Sequence, residues 1–310
     1  MNNIHTISIL FTLLMSTHLA QASGAEQDFN IAEIADGNYL HKGLHVSIDD
    51  SKHDDIANIG FIVGEQCIAV IDSGGSINIG QQLLKKIRSI SEKPICYVIN
   101  THVHFDHFLG NKAFVEEKPT FVGHQELAEE VERNRAFFLE QFKNDLGPNP
   151  EASSIVGPDM LIDKSTSLDI GNRTLTLMPY PVSHSHSDLI VIDNKTNTLW
   201  AGDLIFRERI PSLTGSLIGW VKVITELSKL EPNLVIPGHG SVAKSMSVAI
   251  QQQQGYLHKL LTETRKAVAD GMFLNEAADK IDKDNQSGWL LHKFQHPTNV
   301  SRAFTELEWE

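Results

Sequence analysis

The order of segments along the chain predicts an α/β protein in which two mixed β-sheets pack face to face with helices outside. Three observations carry this. Short apolar runs recur along the chain, and longer stretches with apolar residues at helical spacing separate them. Each half also runs strands, helix, strand and then a polar loop containing histidine, a pattern that suits layered packing around one core.

Ile31 to His45 alternates apolar and polar residues, as a half-buried strand does. Asn58 to Val63 and Cys67 to Ile71 flank Gly64-Glu65 as a hairpin-like pair, and Asp72-Ser73-Gly74-Gly75 ends the second run in a turn. Ile77 to Ile90 carries apolar residues at helical spacing. Cys96 to Ile99 reads as a buried strand, and the polar loop from Thr101 to His107 follows almost at once. In layered α/β folds, ligands gather at the carboxyl ends of such strands. Thr120 to Val122 is a short strand, and Gln125 to Phe142 a helix with Leu127, Val131, Phe138 and Phe142 on one side. The stretch from Asn144 to Pro158, rich in Asn, Pro, Gly and Ser, reads as a loop. Thr166 to Met178, Leu189 to Ile192 and Thr198 to Ala201 are strand candidates separated by turn residues. Gly215 to Leu230 reads as a helix, Leu234 to Ile236 as a strand and Val242 to Ala269 as a long helix, with two or three shorter helices after it.

The composition is that of an ordinary globular chain: 310 residues, 41% hydrophobic and 21% charged. No linker-like stretch or internal repeat divides it, so residues 23–310 are expected to form one domain with a C-terminal helical extension. The net charge of −13 weighs against a nucleic-acid partner. Ile7 to Met15 is an apolar stretch too short to span a bilayer, and Ala20-Gln21-Ala22 gives an A-x-A cleavage site. Residues 1–22 are therefore expected to be a signal peptide and the mature protein periplasmic or secreted, without stable membrane insertion. No Lys or Arg precedes the apolar stretch, a departure from the usual signal pattern. Cys67 and Cys96 each open an apolar run. They form a disulfide if those strands adjoin in an oxidising compartment, and are two buried thiols otherwise.

The fifteen histidines are the compositional oddity. His102-x-His104-x-Asp106-His107 places four metal-ligand types within six positions of a loop that follows a buried strand. Imidazole nitrogen and carboxylate oxygen are the donors zinc prefers. His184, Asp203 and His239 each follow a further strand. Singly they are weak signals; together with the first cluster they supply three ligands for each of two metals and one carboxylate able to bridge them.

The ordered set of HxHxDH, a His before an apolar strand, Gly202-Asp203 and Pro237-Gly-His-Gly240 resembles the metallo-β-lactamase superfamily over Ile31 to Gly240. The resemblance implies an αβ/βα sandwich with metals at one edge. It also implies that His102, His104 and His184 hold one metal, that Asp106, His107 and His239 hold a second, and that Asp203 bridges. His184, four residues before Asp188-Leu189, fits the family spacing better than His186. Asp55 to Phe61, Val98 to His104 and His296 to Glu308 are similar to the quinoprotein relay system zinc metallohydrolases, which raises the prospect of a quinoprotein partner.

The expected function is hydrolysis of a small ester, thioester, lactone or amide with two Zn2+ per chain, by metal-bound hydroxide with Asp106 as the catalytic carboxylate. The alternatives are a periplasmic β-lactamase, an iron-dependent persulfide oxidation and a non-catalytic metal-binding partner. Asp188 and Asn111 are candidates for hydrogen bonds to ligand histidines, with a simple turn or cap role equally open. Phe137, Phe138 and Phe142 are candidate substrate contacts but more often such residues are core. Arg207 and Arg209 are candidates for an anionic substrate, against solvated surface charge.

Overall fold

The computed structural model describes residues 29–284 and 288–310; the segment assigned to a signal peptide lies outside the described residues. Two mixed sheets stack with helices on their outer faces. The first sheet has seven strands in chain order: β1 (Ala32–Ala35), β2 (Asn38–His41), β3 (Ile59–Val63), β4 (Ile68–Ile71), β5 (Ile95–Ile99), β6 (Thr120–His124) and β7 (Met160–Ile162). Pairing is antiparallel through β4 and parallel from β4 to β7. The second sheet contains β8 (Thr166–Asp169), β9 (Thr174–Pro179), β10 (Leu189–Asp193), β11 (Thr198–Trp200) and β12 (Leu234–Ile236), antiparallel except where β12 joins β11. The αβ/βα sandwich expected from the sequence is the one observed.

Period-two geometry sorts each strand's side chains between two cores. In β4, Ala69 and Ile71 face the core between the sheets, whereas Ile68 and Val70 face the outer helix. In β10, Leu189 and Val191 point between the sheets and Ile190 points outward. Because both faces are covered, these strands read as continuous apolar runs. Helix α1 (Ile77–Ile90) covers the first sheet with Ile79, Leu83 and Ile87. Its start is set by Ser76, whose Oγ accepts a hydrogen bond from the Ile79 backbone N–H. The short α2 (Phe105–Phe108) and the longer α3 (Leu127–Gln141) lie along the first half. Helices α4 (Leu217–Leu227), α5 (Met246–Ala269), α6 (Leu274–Lys280) and α7 (His292–Leu307) cover the second sheet through Trp220, Ile224, Leu257, Leu260, Val300 and Phe304. Glu306 on α7 accepts from the Leu217 N–H at 2.7 Å, so the last helix caps α4. Among the described residues, no helix is long and apolar enough to cross a membrane.

Some expectations need correction. Ile31 to His45 is not one strand: the chain reverses at Asp36-Gly37, pairing Ala32 with Leu40. A tight hairpin keeps the alternation in both arms, so the pattern alone hides the turn. The helices expected from Gly215 and Val242 start later, after Ser216 and Ser245, whose hydroxyls cap the first turns. Strand β7 lies just past the loop expected from Asn144 to Pro158, where three residues give no periodic signal. Cys67 and Cys96 form a disulfide between the neighbouring β4 and β5 runs.

A buried ion pair of the second sheet reaches across to the first. Arg173 Nε donates to Asp193 Oδ1 at 2.9 Å and its Nη2 to Asp193 Oδ2 at 2.6 Å, while Nη1 reaches the Val63 carbonyl of the opposite sheet at 2.8 Å.

Candidate metal centre

The loops that carry the sequence-selected ligands all leave the same edge of the sandwich, after β5, β9, β11 and β12. His102 leaves β5 through Asn100 and Thr101, His104 precedes α2, and Asp106 and His107 lie on α2's single turn. His184 sits in the loop between β9 and β10, Asp203 in a short 3-10 turn after β11, and His239 just past β12.

Seven side chains converge there. His102 Nε2 and His184 Nε2 lie 2.9 and 2.8 Å from His104 Nδ1. Asp203 Oδ2 stands 3.6 Å from His102 Nε2 and 3.3 Å from His184 Nε2. Its other oxygen, Oδ1, lies 3.2 Å from His107 Nε2 and 3.3 Å from His239 Nε2. Asp106 Oδ2 completes this second group at 3.6 and 3.4 Å from the same two nitrogens. One carboxylate thus offers one oxygen to each trio.

The donor set fits metal ions. Metal–nitrogen bonds of 2.0–2.1 Å in tetrahedral geometry put ligand atoms about 3.3 Å apart, near the spacings around Asp203. The buried His107 Nε2 and Asp203 Oδ1 make no hydrogen bond, which is costly unless a cation accepts their lone pairs. The far ring nitrogens fix this orientation. His239 Nδ1 donates to the Ile56 carbonyl at 2.7 Å, and His107 Nδ1 donates to Asp72 Oδ2 at 2.7 Å, so in both rings Nε2 is left as the acceptor.

The electrostatics divide the histidines. Burial disfavours charge on His102 and His184, and neighbouring imidazoles add to it, so both pKa values fall well below the ordinary histidine value. Burial also opposes the charged form of His107, but the Asp203, Asp106 and Asp72 carboxylates outweigh it and hold its pKa well above normal. Burial pushes Asp203 up, yet His239, His107, His102 and His184 prevail and hold it well below the usual carboxylate range.

The surrounding sequence is shaped by this crowding. A Cβ on Gly238 would stand 1.9 Å from Asp203 Oδ1, and Gly240 has φ +96 with the Arg207 carbonyl 2.0 Å from where a Cβ would be. Both glycines of Pro237-Gly-His-Gly240 are therefore needed to bring His239 in.

The remaining candidates separate. His186 is 51% exposed, with Nδ1 4.0 Å from Glu130, and stands outside the cluster. Asp188 accepts from Ser183 Oγ, Ser185 N and Ser185 Oγ and so fixes the loop carrying His184 without touching its ring. Asn111 bonds Asn100, Ser73 and the Val156 carbonyl. The histidine-orienting carboxylate is Asp72, which in sequence is part of a strand-ending turn. It also accepts from Thr101 N and Oγ1, both at 2.8 Å. Its φ of +56, at a strand end facing the HxHxDH loop, is its structural mark. Phe138 and Phe142 are buried in a small core with Phe108, and only Phe137 is open, at 55% exposure. A third group, Asp282, His292 and His296, is spent on hydrogen bonds: His296 Nδ1 meets Tyr256 Oη, and its Nε2 meets the Ile281 carbonyl.

A model of the metallo-β-lactamase superfamily matches residues 54–239. The chain belongs to this superfamily, whose members are mostly metal-dependent hydrolases. A probable metallo-hydrolase of Streptococcus pyogenes serotype M6 is 26% identical over 197 residues, covering 59% of this chain and 78% of the relative. A 51-residue stretch is 41% identical to a linear primary-alkylsulfatase of a Pseudomonas species, 16% of this chain and 10% of that protein. Among solved structures, a metallo-β-lactamase from Pontibacter korlensis superposes with TM-score 0.60 at 18% identity, over 74% of this chain and 98% of its own. The sec-alkylsulfatase Pisa1 from a Pseudomonas species superposes with TM-score 0.68 at 17% identity, over 89% of this chain, which spans about half (49%) of that enzyme. Such identities establish the shared fold.

Proposed function

We propose that the protein is a two-zinc hydrolase of a small ester, thioester, lactone or amide. The observation that carries this reading is the division of Asp203, with Oδ2 turned to His102 and His184 and Oδ1 to His107 and His239. His102, His104 and His184 would hold one ion; Asp106, His107 and His239 would hold the other. Two zinc ions, when bound, supply Lewis acidity and lower the pKa of a coordinated water toward neutrality.

The chain's own residues do the rest. Asp106 Oδ2, in the second trio, would orient a water and take up its proton. Asp72 and the Ile56 carbonyl keep His107 and His239 in the tautomer that points Nε2 inward. Phe105 of α2 stacks on Phe142 at 4.3 Å, which steadies the turn that carries Asp106 and His107.

A second reading, sulfate-ester hydrolysis, is supported by the 51-residue match to an alkylsulfatase. The reading includes export: the leader-like residues 1–22 and the Cys67–Cys96 pair both suit an oxidising compartment outside the cytoplasm. A quinoprotein partner in that compartment is part of the proposal.

The test is turnover by the zinc-loaded protein on a panel of aryl ester, thioester, lactone, alkyl sulfate and chromogenic cephalosporin, each with and without chelator. Chelator-sensitive cleavage of one of the first three supports the leading reading. Cleavage of the cephalosporin alone would replace it with a β-lactamase, and silence across the panel would replace it with a metal-binding partner protein.

A further inference from the structure

A second cavity, of about 450 Å³, lies on the same edge of the sandwich as the metal centre. Strands β5, β6 and β7 run parallel, so the residues just past β6 and β7 emerge beside the loop that follows β5. The cavity opens there, between α3 and the segment that leaves β9. A space of that size takes a small molecule. No ligand of the metal centre lines it. One loop nevertheless serves both sites: His184 turns to His104, while His186, two residues on, lines the cavity.

Glu130 is the unusual side chain of this cavity. Leu127 and Val131 anchor α3 in the core that holds Phe108, and Glu130 shares their side of the helix, so its side chain is only 8% exposed. A carboxylate buried to that extent is costly unless partners compensate it. Its compensation is incomplete. Arg133 Nη1 reaches Oε1 at 3.3 Å, but this guanidinium is 58% exposed and its shorter bond, 2.6 Å, goes to Glu129. His186 Nδ1 stands 4.0 Å from the same oxygen, beyond hydrogen-bond reach. Among the described residues, no hydrogen bond reaches Glu130 Oε2. Burial accordingly holds this carboxyl above its ordinary pKa.

The remaining walls define the ligand's chemistry. Glu126 and Asp163 add two exposed carboxylates, against the single guanidinium of Arg133. His124 brings no cation: burial lowers its pKa, and its Nδ1 accepts from the Glu126 N–H at 3.1 Å. Pro179, Pro181 and Val182 supply an apolar wall. A metal ion fits poorly, because Glu130 and His186 are joined by no third ligand atom among the described residues.

We propose that this cavity binds a primary ammonium group on a compact apolar body, with Glu130 Oε2 accepting from the ammonium and the Pro179–Val182 segment packing on the apolar part. An ammonium brings three donors and no acceptor, which suits a buried oxygen without a donor of its own. Such a ligand has two sources. It is the far end of the substrate cleaved at the metal centre, which rests on the hydrolase reading, or a separate amine bound against the loop of His184, which does not.

The test is calorimetric binding of n-butylammonium and neutral 1-butanol to the zinc-loaded protein at neutral pH, and to its Glu130→Gln and Glu129→Gln variants. Any contact of the probe with zinc is the same in all three proteins. The wild type is expected to prefer butylammonium to butanol, and Glu130→Gln to bind it about tenfold or more weakly. Glu129→Gln, altering a carboxylate on the exposed side of α3, is expected to match the wild type. Equal affinity in wild type and Glu130→Gln, equal losses in both variants, or no preference over butanol in the wild type overturns the proposal. Glu130→Gln is isosteric and removes a buried charge, so it is expected to fold and to keep two zinc ions. Competition between butylammonium and a cleaved ester assigns the site to the substrate's far end, and binding without competition assigns it to a separate amine. Glu130-dependent binding with no cleavage on the panel would remove the hydrolase reading and leave the ammonium site standing.

Discussion

Asp72 Oδ2 accepts a hydrogen bond from His107 Nδ1 at 2.7 Å, with both side chains sealed from solvent. This contact sets which ring nitrogen faces the metal centre. The Asp72→Ala variant leaves His107 Nδ1–H, Thr101 N and Thr101 Oγ1 without their acceptor. Affinity at the second site should fall by about 10- to 100-fold, read by zinc competition with a chromophoric chelator. Unchanged affinity would mean that His107 needs no orienting partner.

His184 and His186 are two residues apart and have opposite expectations. His184→Ala should reduce zinc stoichiometry from two to one, because Asp203 Oδ1 still serves His107 and His239. His186→Ala, altering an exposed side chain outside the cluster, should leave stoichiometry unchanged. The reverse pattern would reassign the ligand.

Arg173 reaches the first sheet at the Val63 carbonyl and pairs with a fully buried carboxylate, Asp193. Arg173→Met leaves that carboxylate uncompensated and should cost about 3–5 kcal/mol in urea unfolding. A loss below about 1 kcal/mol would show the pair behaving as a surface one.

Glu208 supplies a pH signature. Burial pushes its carboxyl upward, but Ser241, His45 and Lys42 outweigh it and bring the pKa from 4.5 to about 2. The folded value lies below the unfolded one, so the stabilisation is complete above pH 4.5 and is lost as pH falls toward about 2. The melting-temperature gap between chelated wild type and Glu208→Gln should therefore be widest near neutrality and close in acid. A gap that persists at pH 2 would assign the effect to packing.

The disulfide closes a loop between residues 29 apart in sequence. Its reduction should cost about 3.5 kcal/mol by the loop-entropy relation, seen as a lower urea midpoint in reductant.

Much of this fold and site is legible in the sequence. The strands around the centre are bounded by changes in period, and α1 runs from Ile77 to Ile90 as its apolar spacing indicates. The seven side chains that converge all follow strands in the sequence. What the sequence hid has physical reasons. The Asp36-Gly37 reversal preserves alternation, so a hairpin imitates a strand. Asp72 acts across 35 positions on His107, and no local pattern marks such a partner. Arg207 and Arg209 are indistinguishable in sequence, because only tertiary structure shows which guanidinium meets carbonyls and which, among the described residues, leaves a buried nitrogen unmet.

The most direct measurement is elemental analysis of the purified protein, metal by metal, per chain. Two zinc ions per chain, both removed by chelator and restored on readdition, are the expected result. One ion at most, or iron in place of zinc, would contradict a two-zinc centre spanned by Asp203.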